Sequence, residues 1–156
     1  MPKIELTTRI NAPIQFVFDL ARSVDLHKIS MEHTNEKAIA GRTSGLVELH
    51  DTITWRAKHL GVYQNLTSKI TAVDSPTYFA DEMLKGAFKR FKHEHFFSEE
   101  NGITEMKDIF DYNAPLGLLG KFVDWLFLEK YMTNFLLKRN AVLKEFAESG
   151  KGKELV

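Results

Sequence analysis

The feature that most restricts the fold of this chain is the long proline-free run near its C-terminus. After Pro115 the string PLGLLGKFVDWLFLEKYMTNFLLKRNAVLKEFAES reads as one helix to about Glu148. At about 1.5 Å per residue, even its last thirty or so residues span roughly 45 Å, enough to cross a whole sheet. Its apolar stripe is uneven. Leu128, Met132, Phe135, Val142, Leu143 and Phe146 gather on one side, whereas Leu119, Val123, Leu126 and Phe127 gather nearly opposite. The helix therefore kinks or is buried differently at its two ends. Arg139 interrupts the first stripe at its middle, and a guanidinium placed there needs a partner, because burying an unpaired charge is expensive.

The segments before it follow other periods. KIELTTRI alternates, with Ile4, Leu6, Thr8 and Ile10 on one face, as in a strand with one wet side. NAPIQFVFDLARS then places Pro13 in a first helical turn and Ile14, Val17, Phe18 and Ala21 at helical spacing, and VDLHKI suits a second short helix. From Asn35 to Tyr112 the period of two returns, giving about six antiparallel strands. One of them is expected to run through VELHDTITWRA with Val47, Leu49, Asp51, Ile53, Trp55 and Ala57 on one face. Another puts Val62, Leu66 and Ile70 together with Gln64 and Ser68. Asp74–Thr77 breaks the chain, Gly86 marks a bulge or bend, and Asn101-Gly102 is a strong hairpin signal. The pattern is α+β: one curved antiparallel sheet of about seven strands, two short helices after the first strand, and a long helix that alone can cover the dry face. One domain is expected over residues 1–148, with 149–156 a loose charged tail. A bent sheet around one helix leaves an interior space suited to an apolar ligand.

Composition removes several function classes. With 21 basic and 21 acidic residues interspersed, the 156-residue chain has no basic stripe for nucleic acid. It has no cysteine, which excludes thiolate nucleophiles and Cys-based zinc sites. The start MPKIELTTRI lacks an apolar signal core, and no run approaches the roughly 20 apolar residues of an integral membrane segment. A cytoplasmic protein without a cofactor is expected.

Candidate chemistry centres on FKHEHFF. Arg90, Lys92 and Glu94 belong on the wet face, so Phe91, His93, His95 and Phe97 point inward. In GITEMKDIFDY the inward set is Thr104, Met106, Asp108, Phe110 and Tyr112. If the hairpin turn centres on Asn101-Gly102, counting back from it sets His95 opposite Asp108 and His93 opposite Phe110. Opposed Cβ atoms lie about 4.5–5.5 Å apart, within reach of a side-chain hydrogen bond. Arg139 could pair with Asp108, Asp81 or Glu82, and the facing of the last two is ambiguous in YFADEML. No metal is expected, since two histidines on one strand give two donors where zinc generally takes three or four from the protein. His27, His33, His50 and His59 show no helpful spacing.

The order of elements, together with INAPIQFVFDLARSVDLH, KGAFKRFKHEHFF and DIFDYNAPLGLLGKFVDWLF leading into LLKRNAVLKEFAE, resembles the SRPBCC superfamily over nearly the whole chain. That superfamily has the helix-grip fold and includes START-type lipid-transfer domains, pollen-allergen-like binders and polyketide cyclase/dehydrase-like proteins. The strings look like its bacterial ligand-binding members. GRTSG sits where pollen-allergen-like members carry a glycine-rich loop but lacks their fuller glycine pattern, so no phosphate-binding role is carried over. The resemblance implies a lipid, isoprenoid or polyketide-like ligand held between sheet and helix, the protein acting as carrier or sensor. A cyclase, dehydratase or hydrolase using His95, Asp108 and Arg139 is the second reading, and a homodimer or interaction module using the long helix the third. The expected cavity wall is Trp55, Phe91, His93, His95, Met106, Asp108, Phe110, Met132, Phe135 and Arg139.

Overall fold

The computed structural model describes residues 3–59, 61–113 and 123–156. In chain order the elements are β1 (Lys3–Ile10), α1 (Ile14–Ala21), α2 (Val24–Ser30), β2 (Lys37–Gly41), β3 (Thr52–His59), β4 (Val62–Asp74), β5 (Tyr78–Lys85), β6 (Arg90–Glu100), β7 (Ile103–Asn113) and α3 (Val123–Ser149), with 3-10 turns at Glu32–Thr34 and Lys151–Leu155. The seven strands form one antiparallel sheet ordered β1-β7-β6-β5-β4-β3-β2, and α3 lies along its concave side against β1. This is the helix-grip arrangement. The expected helix start at Pro115 and Leu119 lies outside the described residues.

Two local devices shape the sheet. Register shifts leave an extra residue at Ile39 in β2, Thr71 in β4 and Leu84 in β5, and each bends its strand because it locally raises the twist. The β6–β7 hairpin turns on Asn101 and Gly102, both left-handed at φ 53 and 79, which suits a tight turn matched to strand twist. From that turn the register runs unbroken from Glu100↔Ile103 to Arg90↔Asn113, and it sets His95 opposite Asp108 and His93 opposite Phe110.

The dry face is filled in three groups. Phe18 packs edge-on to Phe79 and Phe97, with Ile10, Met106 and Leu143 closing the end under α1. Phe91, Phe110, Tyr112 and Leu136 make a second group, joined by Met132 and Phe135 from α3. Val24, Val47, Ile53, Trp55 and Ile70 make a third. The uneven stripe of α3 has its counterpart: Leu136 and Leu143 are buried, whereas Leu126 and Phe127 at its N-terminal end are 55% and 51% exposed. Among the described residues no helix is long and apolar enough to cross a membrane.

Two expectations are corrected. Residues 47–51 are not the start of β3 but a turn, in which Asp51 N–H donates to Glu48 O and the Asp51 carboxylate accepts from Glu48 N–H and Arg42. Asp51 is thus a turn brace, and Leu49 is exposed. The segment after Gly150, expected to be loose, coils into a 3-10 turn that buries Gly152 against Leu20 and packs Leu155 on the first core group. A Cβ at Gly152 would lie 2.6 Å from a Leu20 methyl, so only glycine allows this approach. Deleting Lys151–Val156 is expected to lower stability by about 1.5–3 kcal/mol, the value of burying one large aliphatic side chain. Urea denaturation checks this, and an unchanged midpoint would mean the tail adds nothing.

Candidate functional site

Asp108 on β7 is fully buried and gathers groups from three elements. Its Oδ1 accepts from His93 Nε2 on β6 at 2.9 Å and from Arg139 Nη2 on α3 at 2.9 Å. Oδ2 accepts from Asn140 Nδ2 at 2.8 Å. His95 Nδ1 lies 3.1 Å from Oδ1 but off axis, without a formed hydrogen bond, while its Nε2 meets Asp81 Oδ1 on β5 at 3.1 Å. Arg139 is braced by Nε and Nη2 donating to Asn140 Oδ1 at 3.1 and 2.9 Å. The His93 ring lies 3.9 Å from the His95 ring, tilted by 33°, and Phe79 stacks on His95 at 4.1 Å.

Burial alone would raise the Asp108 pKa, but the Arg139 charge and the histidine hydrogen bonds overcome it and hold it well below the usual carboxylate range. Asp81 is lowered in the same way, with burial opposed by its bond to His95 and by the charges of His93, His95 and Arg139. The histidines part company. Burial and then the neighbouring His95 push His93 down to about 4, despite Asp108. For His95, burial is outweighed by its closeness to the Asp108 carboxylate and its bond to Asp81, and its pKa rises. The two rings are therefore unequal: a proton entering the pair goes to His95 before His93.

Beside this network a cavity of about 420 Å³ opens between sheet and α3, within the usual range of roughly 300–1,000 Å³ for small-molecule sites. Seven of the expected wall residues line it: Trp55, Phe91, His93, Phe110, Met132, Phe135 and Arg139. The other three do not. Met106 belongs to the first core group, Asp108 sits behind His93 and Arg139, and His95 lines a smaller adjoining pocket. The contact expected between His95 and Asp108 is present at 3.1 Å, and His93 adds a hydrogen bond to the same oxygen: the register is as read, and ring orientation also carries the diagonal nitrogen to the carboxylate. Sequence reasoning missed Asn140, which reaches Asp108 from the position next to Arg139. It also missed the inward facing of Asp81 and a polar group of Glu36, His27, His59 and Tyr131 at the cavity's other end.

Asp81, His93 and His95 offer three donor atoms within 4.8 Å of one another, so the two-donor objection to a metal does not hold. The chemistry of the set argues otherwise. Arg139 already supplies positive charge beside Asp81 and His93, and that fixed guanidinium opposes a second cation there.

No protein-family model matches the sequence, and no curated protein matches it either. The fold has clear counterparts among solved structures. The protein TTHA0849 from Thermus thermophilus aligns with a TM-score of 0.78 at 16% identity over 96% of this chain and 99% of its own. The Zhui aromatase/cyclase from a Streptomyces species gives 0.77 at 13% identity, covering 94% of this chain and 93% of that one. Ginseng major latex-like protein 151 from Panax ginseng gives 0.66 at 13%, over 94% and 97%. At such identities the likeness is one of fold: this chain shares the helix-grip architecture of these proteins.

Two measurements check the network. Imidazole ¹⁵N spectra across a pH series should show His93 neutral down to about pH 4 and His95 retaining its proton above the ordinary histidine range; titration of both near 6.5 would refute the inequality. A group with a lowered folded pKa loses stability as pH falls from its unfolded pKa to its folded one. His93 should therefore cost up to about 3 kcal/mol between pH 6.5 and 4, a loss that His93→Gln removes. Asp108→Ala should cost about 3–5 kcal/mol at neutral pH by stranding Arg139.

Proposed function

We propose that this protein binds an apolar small molecule of lipid, isoprenoid or polyketide-like class, as a cytoplasmic carrier or sensor, with an oxygen of the ligand docked on Arg139. The observation that supports this is the cavity itself: a largely aromatic and aliphatic wall with a few polar groups, among which Arg139 is the one lysine or arginine in the described lining. Asp108 and Asn140 hold Arg139 through Nε and Nη2, and Nη1 has no hydrogen bond among the described residues. A carbonyl or carboxylate oxygen there would gain a charge-assisted bond. Helix-grip relatives in shape include a named aromatase/cyclase and a latex-like protein, which accords with an interior ligand site.

A cyclase- or dehydratase-like activity is the second reading, and it favours His93 over His95. His93 lines the cavity and is neutral; with Nε2–H donating to Asp108, Nδ1 is left to accept a proton from carbon next to a ligand carbonyl while Arg139 stabilises the enolate oxygen. The protonated His93 would then return that proton to the alkoxide formed when the enolate carbon attacks a second carbonyl. A base whose conjugate acid has a pKa of about 4 is weak at neutral pH, which ranks this reading below binding. Homodimerisation through the exposed Leu126 and Phe127 is the third; because Phe127 also lines the cavity, a ligand portal accounts for its exposure as well.

Trp55 in the wall supplies a fluorescence readout. Lauric acid should quench it saturably, and Arg139→Lys, which keeps a cation for Asp108 but loses the planar fork, should weaken that binding about tenfold or more. Native mass spectrometry that always finds the protein empty, with no saturable quenching, would sink the binding reading.

A further inference from the structure

The cavity has a second polar end that neither the His93–Asp108–Arg139 network nor the proposed oxygen dock uses. Glu36 follows the 3-10 turn, where Asn35 is left-handed at φ 55 and reverses the chain. Its side chain is only 5% exposed, yet it lines the cavity. One carboxylate oxygen, Oε1, meets His27 Nε2 at 2.5 Å; Oε2 has no hydrogen bond among the described residues. His27 in turn lies against the Trp55 ring at 4.3 Å, so the pair is built into the wall. Across the opening, His59 Nδ1 meets Tyr131 Oη at 2.6 Å, and His59 Nε2 has no bond among the described residues. Phe135 stands 5.5 Å from the His59 ring and closes the apolar side.

The hydrogen-bond logic selects a ligand group. Burial pushes the His59 pKa down and the Tyr131 pKa up, so a neutral imidazole faces a protonated phenol. If Tyr131 O–H donates to Nδ1, the ring hydrogen sits on Nε2, which becomes a donor into the cavity. Glu36 Oε2 can only accept. A hydroxyl satisfies both at once, giving its hydrogen to Glu36 and taking one from His59. An ammonium suits the place less well, because it has no lone pair with which to accept from His59 Nε2–H.

We infer that Glu36 and His59, braced by His27 and Tyr131, form a hydroxyl-binding subsite, and that the ligand is a bipolar molecule with an oxygen acceptor at Arg139 and a hydroxyl at the far end. Tyr131 and Arg139 lie about 12 Å apart along the α3 axis at roughly 1.5 Å per residue, which sets the separation of the two polar groups. The inference rests on the cavity being the binding site.

The experiment compares lauric acid, ω-hydroxylauric acid and ω-aminolauric acid by Trp55 fluorescence on the whole protein. The hydroxy acid should bind about tenfold tighter than lauric acid. Glu36→Leu should abolish that advantage, so that the hydroxy acid and lauric acid bind alike to the variant. His59→Phe, which keeps the ring volume, should do the same if Glu36→Leu folds poorly. If lauric acid binds and the hydroxy acid binds no better, the subsite is overturned while the binding reading stands. Tightest binding of the amino acid would overturn the choice of hydroxyl. If no probe binds, both readings fall.

Discussion

A single carboxylate, Asp108, decides how the two halves of this protein meet. Its oxygens accept from His93 on β6 and from Arg139 and Asn140 on α3, so one buried group fixes the sheet-to-helix distance at the centre of the molecule. Breaking such a network costs several kcal/mol, a large share of an ordinary domain's stability. The hydrophobic groups on either side are tolerant of small shifts by comparison. Phe18 with Phe97 at one end, and Phe110 with Leu136 at the other, bury area without demanding one position. The polar contacts supply that demand: moving α3 by half a turn would leave a guanidinium and a carboxylate both unpaired.

Much of this is legible in the residues. Asn101-Gly102 pins the β6–β7 register, and from it follow the inward facing of His93, His95 and Asp108 and the pairing of their backbones. Arg139 stands out because it breaks an apolar stripe. What escapes such reading lies beyond backbone period. Register fixes Cβ positions and with them the His95–Asp108 contact, whereas the hydrogen bond that His93 adds from the diagonal depends on ring rotation. Asp81 is ambiguous because Phe79, Ala80, Asp81 and Glu82 show no alternation of apolar and polar residues, although β5 pairs there with β6 in unbroken register.

The far end of the cavity is illegible for another reason. Glu36, His59 and Tyr131 come from a turn, a strand end and a helix, and only the closed fold brings them to one cavity wall. No spacing rule links such positions. The turn at Val47–Asp51 shows the opposite failure: a clean alternation is present, but side-chain bonds from Asp51 to the local backbone outcompete strand pairing.

The two ends of the cavity stand on supports of unequal firmness. His93, Asp108 and Arg139 rest on β6, β7 and the middle of α3, strands hydrogen-bonded on both sides. Glu36 and His59 rest on a short turn beside the edge strand β2 and on the last residue of β3. Edge elements open at lower free energy than central ones. In the binding reading proposed above, selectivity is graded along the length of a guest molecule: its inner end is measured against a fixed gauge, and its outer end against one that yields, so that variation among acceptable guests collects at the outer end.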